Sequence, residues 1–376
     1  MDLKNFDLDK KSEFQYPLIA YHIAKFLDRI NPAVLFLDKI ETLFLSRRIS
    51  NYNDESPIYI TGLARAGTTI ILEMLSKHPD VATHRYIQIP LTYLPYVWTN
   101  LAKNTKVFTD PVERIHKDGI FVNMNSPEAL EEVIWRGFFK NLHNENISNV
   151  MDSNVSNSRF EKFYRNHLAK TLLTLNKSRY LVKNNYNVTR MDYLQKIFPK
   201  AKFLLIIRTP VDHIASLIKQ NKLFERMGLK DLRLEQLTQL SGHYEFGHNR
   251  KSINVGDHEM IETLSKIWLR NSSDTKAWAM YWASIYNFVS DILKKNKKLA
   301  DATLIVRYDD LVNNPSETID KILEHTHLKK EKFKKIKKFY ITNLHKPTYY
   351  QAIFSKQELK DITDITNSTA FQFGYL

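Results

Sequence analysis

The chain has 376 residues, 43% of them hydrophobic, with only 9 Gly and 12 Pro, a composition that can build a sizeable core and excludes a low-complexity or disordered chain. It has no cysteine, which rules out disulfides, cysteine zinc sites and a catalytic thiol and suits a reducing, cytoplasmic setting. The formal net charge of +14 favours polyanionic partners such as nucleic acid, anionic lipid, acidic glycans or a multiply charged nucleotide, although a solvated lysine-rich surface accounts for it equally well.

Met1-Asp2-Leu3-Lys4 leads into polar sequence, so no signal peptide is expected. No window approaches the ~18 uninterrupted apolar residues of a membrane span. Helical patterns fill residues 15–48. From Leu18 to Ile30, one face carries Ile19, Ile23, Phe26, Leu27 and Ile30. Core packing is the plainer use of that face. Peripheral docking at the inner face of a membrane is the sharper one. Asn31-Pro32 breaks or restarts the helix, and a second apolar stretch runs to Leu45.

Ile58-Tyr59-Ile60-Thr61 reads as a strand ending at Gly62, and Thr68 opens a helix that stops before Pro79. Val81-Ala82-Thr83 reads as a short strand, and Ile120-Phe121-Val122 as another. Residues 86–115 are rich in aromatics and Pro; Tyr86, Tyr93, Tyr96 and Trp98 could line a pocket, with core packing the plainer reading. Ser126-Pro127-Glu128 has the pattern of a helix start, with Ser as cap and Pro in the first turn. Residues 141–158 read as loop, 160–176 as helix and Tyr180-Leu181-Val182 as strand. A helix near 189–198 leads to Lys202–Ile207, whose continuous apolar run suits a buried parallel strand. Thr209-Pro210 starts another helix, residues 227–257 look like an insert, and a long helix covers 274–298. Thr303–Val306 is a further strand, and Pro315-Ser316-Glu317 starts a helix. Two lysine runs, 294–298 and 329–338, fall at a helix end and on an exposed helix; neither is interleaved with aromatics, so no nucleic-acid partner is expected. Strands alternating with helices predict an α/β fold, a three-layer sandwich with a central parallel sheet. With no repeat and no linker, the chain reads as one domain: an N-terminal helical segment at 1–50, a core at 57–325 with helical inserts, and a helical and loop cap at 326–376.

The spacing Gly62-x-x-x-x-Gly67-Thr68-Thr69 lies between a strand and a helix, the setting of a phosphate-binding loop. Glycines let backbone curl round an oxyanion, and the helix N-terminus adds free N–H groups and a positive dipole end. A nucleoside-triphosphatase loop has Lys after its second Gly. Here Thr68 stands there and the basic residue is Arg65, inside the loop. A kinase would thus lack the lysine that reaches the outer phosphates, whereas a guanidinium can hold a phosphate–sulfate group in a bidentate fork.

Ile60-Thr61-Gly62-Leu63-Ala64-Arg65-Ala66-Gly67-Thr68-Thr69 resembles the 5'-phosphosulfate loop of sulfotransferases that use 3'-phosphoadenosine-5'-phosphosulfate (PAPS). Its Arg form is similar to tyrosylprotein sulfotransferases and to a broad bacterial group. Leu205-Ile206-Ile207-Arg208, with Ser216 eight residues on, resembles the family's 3'-phosphate motif. The resemblance implies a P-loop-like sulfotransferase fold. It implies PAPS as co-substrate, bound by Arg65, Ala66, Gly67, Thr68, Thr69, Arg208 and Ser216, and it implies no metal. It also implies Lys183 facing the transferring sulfuryl group. The acceptor would be a hydroxyl or amine on a small molecule, carbohydrate or lipid. Arg307-Tyr308-Asp309-Asp310-Leu311 resembles a common family segment and reads as structural, with Arg307 paired to an Asp. The Gly- and Lys-rich segment near the C-terminus of the cytosolic enzymes of this family is missing; Lys346-Pro347-Thr348-Tyr349 is expected to cover the nucleotide instead.

Sulfuryl transfer needs a base for the acceptor proton. His84 follows the second strand, where related enzymes place a polar catalytic group. His116 resembles the basic histidine of the cytosolic enzymes, and Glu132, beside Glu131, lies at a helix start similar to one in bacterial relatives. Histidine titrates near neutrality, so His116 and His84 rank level and Glu132 below. Two rival readings remain at this stage: a P-loop kinase, and a non-enzymatic polyanion-binding protein.

Overall fold

The computed structural model describes residues 18–52, 56–103, 110–114, 116, 118–346 and 353–375. Its strands are β1 (Ile58–Thr61), β2 (Val81–Ala82), β3 (Val112–Glu113), β4 (Phe121–Val122), β5 (Arg179–Lys183), β6 (Lys202–Ile207) and β7 (Thr303–Arg307). Five of them form one sheet in the order β2-β5-β1-β6-β7 with every pairing parallel, while β3 and β4 form a small antiparallel hairpin.

Parallel strands must be covered on both faces, and the side chains alternate accordingly. Tyr59, Val182 and Phe203 face helices Ser158–Leu175 and Met191–Ile197. Further along the same face, Leu205 and Ile207 meet helices Pro210–Lys230 and Thr275–Lys295. Ile58, Ile60, Leu181, Leu204 and Ile206 point the other way, into a core with helices Thr68–Ser76, Pro315–His325 and Lys334–Asn343. The three-layer α/β architecture expected from the sequence is the one observed. No described helix is long and apolar enough to cross a membrane.

Register places the site. Ile60 lies opposite Lys183, and Thr61 opposite Leu205. The C-terminal ends of β5, β1 and β6 therefore stand side by side at one edge of the sheet. β1 is the strand where the order reverses direction, the position at which open α/β sheets bind ligands.

Some local expectations change. Ser126-Pro127-Glu128 does not start a helix: Ser126 Oγ accepts from Asn123 N at 3.0 Å, and Pro127 bridges to Arg85. The cap residue is consumed by a turn, and the helix runs Glu131–Phe138. The insert is shorter than 227–257, because helix Pro210–Lys230 runs into it and helix Leu232–Leu240 fills its middle. A helix at His258–Arg270, capped by Asp257 accepting from Met260 N at 2.9 Å, was not foreseen. The C-terminal helix Lys356–Gln372 packs along Thr275–Lys295, and Tyr375 OH donates to Asp309 Oδ2 at 2.9 Å. Arg307 pairs with Asp310 at 2.7 Å, as the sequence suggested. Pro347, Thr348 and Tyr349, expected to cover a nucleotide, lie outside the described residues.

Candidate functional site

The loop after β1 is held from all sides. Gly62 has φ +140°, and a Cβ there would sit 2.3 Å from the Ile206 carbonyl oxygen of β6. Gly67 has φ +103°, and a Cβ there would meet the Tyr308 ring at 2.4 Å. Only glycine takes both constraints. Leu63 N donates to Tyr286 OH at 3.3 Å, and His213 Nε2 bonds the Ala64 carbonyl at 2.8 Å. Gly67 precedes helix Thr68–Ser76 and offers no side chain to its first N–H groups, so those donors line the cradle.

Arg65 adopts φ 71°, a left-handed conformation that costs a side-chain-bearing residue roughly 1–3 kcal/mol unless its surroundings hold it. They do. Its Nε donates to Ser216 Oγ at 3.3 Å and its Nη1 to Asp118 Oδ2 at 2.9 Å. Thus Ser216, expected near a second phosphate, lies against the arginine of the first loop. Asp118 comes from the β3–β4 hairpin and is also gripped by Arg114, whose Nε lies 2.8 Å from Oδ1. Burial opposes ionisation of Asp118, but the hydrogen bonds and charge of Arg114, then the charge of Arg65, hold it far below the carboxylate range. Arg114 Nη1 also reaches Thr69 Oγ1 at 3.4 Å.

Lys183 ends β5 and is buried. Burial lowers its ammonium pKa, the charges of Glu245 and Glu128 oppose this, and Arg114 and Arg65 lower it further. Thr68 Oγ1 approaches Asn185 Oδ1 at 3.4 Å. Lys219, one turn beyond Ser216 on helix Pro210–Lys230, has its pKa lowered to about 8, first by burial and then by Arg65. Arg208 stands just past β6. Its guanidinium lies 5.2 Å from the centre of the Tyr308 ring and 3.9 Å from Asp212, and its Nε is buried with no hydrogen-bond partner. Arg65, Ala66, Gly67, Thr68, Thr69, Lys183, Arg208 and Ser216 are therefore gathered at one edge of the sheet. A cavity of about 270 Å³, lined by Thr69, Arg85, Arg114, Phe121 and Glu128 among others, opens beside them.

The three base candidates part company. His116 is in the cleft, with its ring 5.4 Å from that of Phe224 and its Nδ1 buried without a partner. Burial, then the charges of Arg114 and Arg65, push its pKa well below the ordinary value. His84 is fully buried elsewhere. Its Nδ1 meets Gln88 Oε1 at 2.8 Å, and its Nε2 meets Tyr180 OH at 2.9 Å and His167 Nε2 at 3.3 Å. Glu132 is locked by Arg190 at 2.8 and 2.9 Å, by His143 at 2.7 Å and by Asn184 at 2.8 Å. It is a buried strut behind the cleft. Of the aromatics, Tyr93 OH bonds the Val133 carbonyl at 2.7 Å, Trp98 Nε1 bonds that of Ile87 at 2.9 Å, and Tyr96 OH accepts from Arg48 at 2.6 Å; all three pack away from the loop.

A further pair had no sequence signal. Glu245 accepts from Asn185 Nδ2 at 2.9 Å and lies 3.6 Å from His243 Nδ1. Burial alone would lower the His243 pKa, but the adjacent carboxylate of Glu245, together with the charge of Glu128, raises it. A chain of polar contacts thus runs from Thr68 through Asn185 and Glu245 to His243. Both residues sit in the Gly-bearing insert, some 60 positions from Asn185, which only the fold brings beside the loop.

A family model described as "Sulfotransferase family" matches residues 57–262, more than half of the chain. No curated protein sequence matches. Among solved structures, the sulfotransferase STF9 from Mycobacterium avium superposes with a TM-score of 0.52 at 14% identity, over 89% of this chain and 82% of that one. The sulfotransferase STF1 from Mycobacterium tuberculosis H37Rv gives 0.50 at 15% identity, over 96% and 87%. The match takes in the loop, the strands on either side of it and the arginine after β6, and the chain belongs to the sulfotransferase family.

Proposed function

We propose that this sulfotransferase takes its sulfuryl group from PAPS and delivers it to a hydroxyl or amine acceptor. The observation that carries the reading is the pairing of two cationic anchors in one cleft: Arg65 within the loop, and Arg208 beyond β6, whose guanidinium lies 5.2 Å from the centre of the Tyr308 ring that closes on Gly67. ATP has no use for the second anchor. The residues present fit the donor: uncapped N–H groups at the Thr68 helix start and Arg65 suit the 5'-phosphosulfate, and the unpartnered buried Nε of Arg208 suits the 3'-phosphate. In the transfer, the acceptor oxygen or nitrogen bonds to sulfur as the bond from sulfur to the bridging phosphate oxygen breaks. The acceptor proton passes to a base, and adenosine 3',5'-bisphosphate leaves. Lys183, Arg65 and the Thr68 hydroxyl supply positive charge and donors to the oxygens that gain charge.

For the base, we place His243, oriented by Glu245, ahead of His116; the closed surroundings of His84 and Glu132 leave neither able to meet an acceptor. An imidazole with a carboxylate behind it becomes a better proton acceptor. The two cleft histidines predict different pH profiles. A base must be unprotonated, so kcat/KM falls as pH drops through its pKa. With His243, whose pKa is raised, that acid limb lies above the ordinary histidine value; with His116, whose pKa is depressed, it lies well below.

The test is thermal stabilisation by adenosine 3',5'-bisphosphate against ATP with magnesium. At ~100 times its dissociation constant a ligand adds roughly 2.7 kcal/mol. Stabilisation by the bisphosphate, lost in Arg65→Ala and Arg208→Ala, is expected. Stabilisation by ATP alone would end the PAPS reading.

A further inference from the structure

Helix Asn31–Ile49 buries Val34, Leu35, Leu45 and Ile49 on one face together with its acids. It contains two acidic residues, Asp38 and Glu41, and both are buried. They converge on Lys170 of helix Ser158–Leu175, which is 0% exposed: Glu41 Oε2 lies 2.7 Å from its Nζ, and Asp38 contacts it as well. Glu41 Oε1 also accepts from Val97 N at 2.7 Å, in the first turn of helix Pro95–Ala102, so it anchors a second helix beside the first. The opposite face of helix 31–49 is apolar and open to solvent. Phe44 is 82% exposed, Leu43 73%, Phe36 61% and Leu37 48%. Helix Pro95–Ala102 adds Leu101 at 65%.

This orientation has an electrostatic consequence. With the acids turned inward onto Lys170, the charged side chains that helix 31–49 leaves exposed are all cations: Lys39, Arg47 and Arg48. The preceding helix, Leu18–Arg29, adds exposed Ile23, Phe26, Lys25 and Arg29, and its only acidic side chain, Asp28, reaches Arg136 at 3.3 Å. A run of large apolar side chains bordered by cations is the surface that settles on a negatively charged bilayer, where the rings and aliphatic groups enter the interface and the cations meet anionic head groups. A second copy of the chain fits poorly, because a symmetric contact would set Lys39, Arg47 and Arg48 against themselves.

We propose that the exposed face of helices 31–49 and 95–102 is a peripheral membrane-docking surface selective for anionic lipid. It does not depend on which donor nucleotide the cleft binds. The experiment is flotation of the full chain with phosphatidylcholine vesicles and with phosphatidylcholine–phosphatidylserine vesicles. The chain is expected to float with the anionic vesicles and to remain below with the neutral ones. Phe36→Ser/Leu43→Ser/Phe44→Ser, at positions that contribute little to the core, should lower binding at least ~10-fold with the thermal midpoint nearly unchanged. Lys39→Gln/Arg47→Gln should lower binding to anionic vesicles about 30-fold, at roughly fivefold per cation. Absence from both floated fractions overturns the proposal. So does equal binding to both vesicle types, or a chain that light scattering shows to be a dimer converted to monomer by the triple apolar variant.

Discussion

The carboxyl groups of Glu131 and Glu132 have the same intrinsic acidity and are pushed apart by what the fold places around them. For Glu132, burial favours the neutral acid, but the charge of Arg190 and the hydrogen bonds of His143 and Arg190 hold it well below the usual range. Its contribution is present above the unfolded pKa and is lost as pH falls through the folded one. Glu131 is buried without a cation; Tyr164 OH at 2.5 Å and Tyr180 OH at 2.7 Å donate to it, yet burial dominates and raises it to about 7. Here the fold favours the protonated form. That stability is complete below the unfolded pKa of 4.5 and lost as pH rises through about 7. Glu131→Gln keeps the shape and removes the titration. Its stability relative to the parent should rise between pH 4.5 and 8 by up to roughly 3 kcal/mol, read from urea midpoints at the two pH values. A constant difference would show that Glu131 does not titrate in this window. Glu132 was legible in the sequence as an acid at a helix start. Its pairing was not, since Arg190 lies 58 positions away.

At the scale of elements, the loop from Gly62 to Thr69 was readable because its information is contiguous: a β-branched strand, two glycines, an arginine and a helix start in one stretch. Its rigidity comes from elsewhere. β6 closes on Gly62, and Tyr308 closes on Gly67. In Gly67→Ala the positive φ remains and the new methyl meets the Tyr308 ring, so stability should fall by more than about 1 kcal/mol and nucleotide-dependent stabilisation should weaken further. Calorimetry with and without adenosine 3',5'-bisphosphate checks both. Normal melting and normal stabilisation would mean that loop and ring can move apart freely. The Ser126 helix start failed for a related reason: a capping side chain serves whichever backbone donor the fold presents, and here a turn presents it first.

On the scale of the whole molecule, helix Asn31–Ile49 is tied to the body through a buried charge cluster as well as apolar contact. Lys170→Met would leave Asp38 and Glu41 buried without a cation, which should cost about 3–5 kcal/mol. Replacing all three by apolar residues should recover only part, because Glu41 also holds Val97 N. Urea unfolding of the two variants measures this. If Lys170→Met loses less than ~1 kcal/mol, helix 31–49 is held by its apolar contacts alone.

The sequence by itself determined the α/β class, the positions of the main strands along the chain, the glycine-bearing loop and the family, because strand periodicity, glycine positions and the Arg65 substitution are local facts. It also marked Arg208, Ser216 and Lys183, since each follows a recognisable strand. Tertiary structure alone decided which titratable groups share the cleft. Asp118, Lys219, His243 and Glu245 enter it from a hairpin, a helix and an insert, while His84 is sealed in the interior. It also decided which face of helix 31–49 is buried. Amphipathic reasoning sends acids outward, but a buried lysine on a neighbouring helix needs carboxylates, so Asp38 and Glu41 share the inner face with Val34, Leu35, Leu45 and Ile49 while Phe36, Leu43 and Phe44 lie toward solvent.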